Sequence, residues 1–154
     1  MSGNEAVEIG LWHVNQEAVK PGSVTQVVLI GDMPPNTREE VEKRRANFSK
    51  DWSSTPFRTI TFYKDEIEKL QKLNNAIPIH TFYVESSSQS SAPSVFKEIS
   101  SSTKGEYGVL NVGNKEGIQT LEKLFGNKIL SDVAKDDETL REDLIRQFSI
   151  SFNA

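Results

Sequence analysis

Short apolar runs alternate with stretches of helical periodicity along most of the chain. Residues 26–30, Gln-Val-Val-Leu-Ile, form a continuous run rich in β-branched side chains, and residues 77–84 and 107–112 form two further runs that predict strands. The first run has no polar face, so we expect a strand that is covered on both sides, as in parallel sheets.

Apolar residues at helical spacing predict helices before, between and after these strands. The first helix is expected to begin with Asn4 as its cap and to end before Pro21-Gly22. Gly105 is expected in the left-handed position that ends a later helix. The predicted helices span residues 4–18, 38–52, 65–73, 94–102 and 118–129. A last helix is expected to begin at a capping box over residues 139–142. Residues 57–62 are predicted as a short extended piece and residues 148–152 as an edge strand.

The order of these elements predicts an α/β fold. Strand–helix–strand alternation requires right-handed crossovers and places helices on the faces of a parallel sheet. We therefore expect residues 1–154 to form a single domain, a three-layer sandwich with a mainly parallel, doubly wound (Rossmann-like) sheet. Ligands of such sheets meet the loops at the carboxyl ends of the strands, here residues 31–36, 85–92 and 112–115.

Composition and charge narrow the class of protein. The chain of 154 residues is 36% hydrophobic and 26% charged, which is typical of a soluble globular domain. The net charge is −4 and no basic face is visible, so a nucleic-acid partner is not expected. The absence of cysteine excludes disulfides and thiolate metal sites. No signal-peptide pattern or long apolar run occurs, so we expect no membrane partner and favour a cytoplasmic setting.

Several segments resemble one known family. Residues 26–35, Gln-Val-Val-Leu-Ile-Gly-Asp-Met-Pro-Pro, resemble the fourth strand of von Willebrand factor A (vWA) domains, and residues 77–84 are similar to the fifth. Residues 96–99 with 103–107 resemble a later helix and its turn into the sixth strand. The resemblance covers residues 3–133 and implies a vWA-like fold, present as the carboxyl-terminal half of such a domain.

Asp32 is the candidate metal ligand that this resemblance implies. In the family the fourth strand ends in an Asp of a metal-ion-dependent adhesion site, and the first strand supplies further ligands in an Asp-x-Ser-x-Ser loop. That half would precede Met1. Magnesium takes about six oxygen ligands, so Asp32 is expected to bind Mg²⁺ when another chain supplies the missing half. The alternative is a turn residue that accepts hydrogen bonds from loop N–H groups.

No complete catalytic constellation is visible in the sequence. There is no Gly-x-Ser-x-Gly elbow, no Gly-x-Gly-x-x-Gly and no phosphate-binding loop, so we expect no enzyme activity. His80 lies in a predicted buried strand and is interpreted as a hydrogen-bonded core residue. The pairs Asp65-Glu66 and Asp136-Asp137 are interpreted as helix starts, where carboxylates offset the helix dipole.

The lead hypothesis is a protein–protein interaction module whose partner contacts the loops at the strand carboxyl ends. A half-domain also leaves a sheet edge open, and open edges pair with other chains, so we expect a homodimer or a complementary half-domain. The alternatives are a Rossmann-like small-molecule binder or enzyme of unknown reaction, which rests on fold analogy, and a fragment of a larger vWA-containing protein. The predicted partner-binding residues are Asp32, Asn36, Ser86, Ser87 and Ser88.

Overall fold

A computed structural model of the chain describes most of its first 111 residues and one helix near its end. The described residues are 4–47, 52–73, 77–85, 91–111 and 137–152, with the single positions 119, 126 and 134. The elements in this part are α1 Val7–Ala18, β1 Val27–Gly31, α2 Arg38–Asn47, a 3₁₀ helix Trp52–Ser54, α3 Tyr63–Gln71, β2 Ile79–Val84, α4 Ala92–Ser102, β3 Tyr107–Leu110 and α5 Glu138–Phe152. The helix predicted over residues 118–129 lies outside the described residues, except for two isolated positions.

The chain divides into two compact units, Met1–Val109 and Leu110–Ala154. The first unit contains α1 to α4 and all but the last residue of the described sheet. The second contains α5. The residues considered below as functional candidates belong to the first unit.

The described strands form an open parallel sheet in the order β1-β2-β3. β1 pairs with β2 in parallel, with Val27 opposite Ile79 and Gly31 opposite Tyr83. The N–H of Thr81 donates to the carbonyl of Glu106 at 2.8 Å, next to the start of β3. The predicted α/β class and the parallel sheet are therefore confirmed for this part of the chain.

One face of the sheet carries the core of the first unit. Ile79 packs there with side chains of α1, α3 and α4, among them Leu11, Leu70 and Ile99. Thr81 points to the same face, where its Oγ1 donates to the carbonyl of Phe96 in α4 at 2.9 Å. α3 and α4, one from each crossover, therefore lie on this face, as expected when the strand order does not reverse. The second helical layer of a doubly wound sandwich remains a prediction.

β1 is less buried than its sequence predicts. Val27, Val28 and Leu29 are half-buried and Ile30 is 43% exposed, so the expected cover on both faces is wrong for this strand. Leu29 packs against the core, whereas Ile30, the next residue along the strand, points to the opposite face of the sheet. The central strand β2 is the buried one, from Ile79 to Tyr83.

The N-terminal end of α1 differs from the sequence prediction, whereas α2 begins at Arg38 as predicted. α1 begins at Val7 after Ala6, and Asn4 does not cap it; the Asn4 side-chain amide donates to Glu40 at 2.7 Å instead. Thr37 and Glu40 form a reciprocal capping box for α2. The Thr37 N–H donates to the Glu40 carboxylate at 2.8 Å, and the Glu40 N–H donates to the Thr37 hydroxyl at 3.2 Å. The sequence carries this signal as Thr-x-x-Glu.

The turn between α4 and β3 also corrects the prediction. Lys104, and not Gly105, takes the left-handed conformation, with φ of 59°. Gly105 is needed for a different reason: a Cβ there would overlap the carbonyl oxygen of Ile79 in β2. Farther upstream, residues 57–62 form no strand, and α3 begins at Tyr63.

α5 continues through the segment that was expected to be an edge strand. It runs to Phe152, so the strand prediction for residues 148–152 is wrong. Phe148 and Phe152 are four residues apart, a spacing that fits a helix as well as it fits alternation. The helix begins at Glu138, and Asp137 caps it by accepting the Leu140 N–H at 2.9 Å, so the predicted box at residues 139–142 is not the cap.

Candidate functional site

The segment before α1 lies beside the loop that follows β1. The Glu5 N–H donates to the carbonyl of Pro34, and the Asn36 N–H donates to the carbonyl of Glu5, both at 2.9 Å. These bonds place the start of α1 at the carboxyl end of β1. We call this region, with the starts of α2, α3 and α4, the strand-end face.

Glu5 and Asp32 form a pair of carboxylates on the strand-end face. Burial and then the charge of Asp32 raise the pKa of Glu5, although a hydrogen bond from the Asp32 backbone N–H works against both. Gly31 provides the space, because a Cβ there would overlap the Glu5 carboxylate. Sequence analysis missed Glu5, because its contact with Asp32 depends on the pairing of segments 27 positions apart.

The two carboxylates do not amount to a metal site held by this part of the chain alone. No group of three metal-ligating side chains occurs among the described residues. A Mg²⁺ ion takes about six oxygens in near-octahedral geometry, and Glu5 and Asp32 offer too few of them. The predicted Mg²⁺ site would therefore need ligands from elsewhere.

Asn36, a predicted partner-binding residue, is buried. It is 3% exposed, and its amide donates to Oε1 of Glu8 at 3.2 Å, where Glu8 in the first turn of α1 is itself 5% exposed. Oε2 of Glu8 and Oδ1 of Asn36 have no hydrogen-bond partner among the residues described. Burial raises the pKa of Glu8, opposed by hydrogen bonds and by the charges of Arg44 and Arg45.

A cavity of about 400 Å³ opens on the strand-end face. We call it the first cavity. Two cations lie at it: the Arg38 guanidinium sits 3.6 Å from the Phe62 ring centre and contacts Asp65 at 2.9 Å, and Lys64 contacts Glu98 at 3.1 Å. Both ion pairs are exposed to solvent. The remaining lining residues are Asn4, Pro34, Pro35, Thr37, Tyr63, Ser91 and Val95.

A second cavity of about 270 Å³ lies between α1 and α2. We call it the Glu8 cavity, because Glu8 and Asn36 line it together. Trp52, on the 3₁₀ helix, forms part of its wall, and the Arg45 guanidinium lies 4.0 Å from the Trp52 ring centre. The other lining residues are Ala6, Ile9, Val41, Arg44 and Thr61.

The remaining sequence candidates lie away from these cavities or outside the described residues. Ser86, Ser87 and Ser88 belong to the latter group. His80 is buried, and its Nδ1 accepts the Glu106 N–H at 3.0 Å, which confirms the interpretation as a hydrogen-bonded core residue.

Comparison with known proteins leaves the family open. No protein-family model, no curated protein and no solved structure matches the chain. Among the described helices, none has the length and apolar character needed to cross a membrane.

Proposed function

We propose that this chain is a protein-binding module, similar to the carboxyl-terminal half of a vWA domain, whose partner docks on the strand-end face. The first cavity is the observation that carries the proposal. It lies where the loop after β1 meets the starts of α3 and α4. Loops and helix starts at this end of a parallel sheet are where ligands of α/β proteins bind.

The chemistry of the first cavity indicates the kind of segment that would bind there. Pro34, Pro35 and Val95 give apolar walls that suit an apolar side chain. Arg38 and Lys64 add positive charge, and their present pairs with Asp65 and Glu98 are exposed. Exposed ion pairs contribute about 0–1 kcal/mol, so a partner's carboxylate can replace either acid with little loss. The proposed partner segment has an apolar residue next to an acidic one.

The edge of the sheet supports a second mode of association. β1 is apolar, half-buried and lies at an edge of the described sheet. An exposed edge strand presents backbone N–H and C=O groups that another strand can pair with. A second copy of this chain, or a complementary half-domain, is the occupant that the vWA resemblance implies. The proposal includes no catalytic step, and Mg²⁺ enters it only through ligands that such a partner would supply.

Selection from a random peptide library tests the docking proposal. The library is displayed on phage and selected on the intact chain, on Val95→Arg and on Val19→Arg. Val95 lines the first cavity, so an arginine there fills it, whereas Val19 is 72% exposed just after α1 and serves as the matched control. Circular dichroism checks that both variants fold.

The proposal predicts peptides with an apolar residue beside Asp or Glu. These should bind Val19→Arg like the parent and Val95→Arg at least tenfold more weakly. A further variant, Lys64→Glu, should lose the preference for acidic residues while keeping the apolar one. Peptides that bind the parent and Val95→Arg equally, or a library that yields no binder, would overturn docking at the first cavity.

A further inference from the structure

The Glu8 cavity contains two buried acceptors that nothing in the described chain satisfies. Oε2 of Glu8 and Oδ1 of Asn36 lack partners, and the bond from the Asn36 amide to Oε1 of Glu8 holds the two side chains together. Buried polar atoms in native proteins are nearly always hydrogen-bonded, and each exception has a cause, such as a ligand or a water. Both acceptors call for the same complement, a group that donates at least two hydrogen bonds.

The charges around this cavity restrict the complement further. Burial raises the pKa of Glu8, and a cation bound beside its Oε2 would favour the ionised form instead. An ammonium group is such a cation and a pure donor with three N–H bonds. Arg44 and Arg45 also line the cavity and act on Glu8 by their charge. A simple amine would offer no anion to the positive charge of Arg45, and a simple acid would be repelled by an ionised Glu8. A molecule that carries both groups complements both kinds of charge that line the cavity.

The apolar walls of the Glu8 cavity indicate a third feature of its ligand. Ile9, Val41 and Trp52 also line the cavity and present apolar surface to it. The volume of about 270 Å³ suits a small metabolite and is too small for most drug-sized ligands. The two acceptor atoms are sealed from solvent, so entry requires side chains to turn.

We propose that the Glu8 cavity binds a free α-amino acid with an apolar side chain. Its ammonium group donates to Oε2 of Glu8 and Oδ1 of Asn36. Its side chain lies against Ile9, Val41 and Trp52, and its carboxylate accepts hydrogen bonds from Arg45. This site is separate from the first cavity, so neither proposal depends on the other.

Calorimetric titration with L-leucine tests the site. The parent chain should bind L-leucine saturably and should bind N-acetyl-L-leucine, which lacks the ammonium group, at least tenfold more weakly. Glu8→Gln keeps the shape of the side chain and removes its charge, and L-leucine affinity should fall at least tenfold. Glu98→Gln, a surface change outside the Glu8 cavity, is the matched control and should bind like the parent.

A second variant separates direct contact from damage to the fold. Arg45→Met should weaken L-leucine at least fivefold but leave L-leucinamide, which has no carboxylate, unchanged. A loss of both ligands in Arg45→Met, or equal affinity of the parent for N-acetyl-L-leucine and L-leucine, would overturn the proposed orientation. No saturable binding of L-leucine would overturn the site and leave water as the partner of the two acceptors.

Discussion

At the end of α4, Lys104 takes the left-handed conformation and Gly105 makes a close backbone approach, two roles that a single glycine often combines at a helix end. Lys104 takes the left-handed conformation, which costs a non-glycine residue roughly 1 kcal/mol. Gly105 allows the backbone to approach β2, where any Cβ would meet the carbonyl oxygen of Ile79. A close approach to backbone cannot be relieved by turning a side chain, so this position is less tolerant than its conformation alone indicates.

Two glycine-to-alanine changes should therefore have opposite effects. Gly105→Ala forces β2 and the turn apart, and we expect a loss of about 1–3 kcal/mol in the free energy of unfolding. Gly10→Ala lies within α1 with no atom within 4 Å of the new Cβ, so better helix propensity should add about 0.5–1 kcal/mol. Urea denaturation followed by circular dichroism measures both. An unchanged midpoint for Gly105→Ala would contradict the steric argument.

For single residues, the sequence predicts which positions are unusual more reliably than it predicts the contacts that those residues make. Gly105 was expected to matter at a helix end, and Asp32 at the end of a strand. The role of Gly105 depends on Ile79, and the setting of Asp32 depends on Glu5. Neither contact follows from local spacing, because each joins segments more than 20 positions apart.

α1 and α3 are joined by a buried carboxylate. Glu66 is almost fully buried and accepts hydrogen bonds from Lys69 at 2.6 Å and from the Asn15 amide at 2.7 Å, as well as from the Thr61 hydroxyl. Burial raises the pKa of Glu66, but the hydrogen bonds from Lys69, Thr61 and Asn15 outweigh it and hold the pKa below the ordinary value of 4.5. The ionised form thus stabilises the contact between the two helices.

The lowered pKa of Glu66 predicts a specific acid sensitivity. A carboxyl group whose pKa is lower in the folded state stabilises the fold fully above its unfolded pKa, near 4.5. That contribution disappears as the pH falls through the lower, folded pKa. Glu66→Gln should cost about 1–3 kcal/mol at pH 7, and the difference from the parent should shrink below pH 4.5. Urea titrations across pH measure it.

The solvent-exposed Glu98→Gln provides the control for this experiment. It should differ from the parent by less than about 0.5 kcal/mol at every pH. A gap between Glu66→Gln and the parent that stays constant down to pH 3 would mean that the carboxylate does not need its charge in the fold.

The elements themselves were largely predictable, and several of their ends were not. Apolar spacing predicted β1, β2, β3 and α1 to α4, because burial of one face imposes a period on the chain. The Thr-x-x-Glu pattern of Thr37 and Glu40 indicates the cap of α2, whereas the alternation of Phe148, Ile150 and Phe152 indicates a strand where the structure has a helix. Glu66 was interpreted as a helix-start residue, since its burial depends on Asn15 of a different helix.

For the whole molecule, the composition of β1 does not decide its position in the sheet. An apolar run indicates a strand that avoids water, but the same sequence suits a central strand or an edge strand that awaits a partner. The α/β class and the parallel sheet followed from the order of elements. The burial of the two faces of β1 did not follow from that order, because it depends on neighbouring elements that the local sequence cannot identify.

Pairing of copies through β1 predicts a mass that depends on concentration. Ile30, 43% exposed on this strand, is the position to change. Light scattering should show the parent chain associating as its concentration rises, and Ile30→Lys should remain monomeric because charge on an edge strand opposes pairing. Val19→Lys, at a site 72% exposed outside the sheet, should associate like the parent. A parent that is monomeric throughout would leave a complementary half-domain as the partner.

The strand order β1-β2-β3 also bears on how the protein is made. Each described strand pairs with the next one along the chain. A strand can therefore pair as soon as the following strand has been synthesised. Domains begin to fold during synthesis, N-terminal parts first. Once about 85 residues have emerged, β1 and β2 can pair and recruit α1 and α3, and β3 then joins an existing template. The sheet is thus suited to growth in the direction of translation.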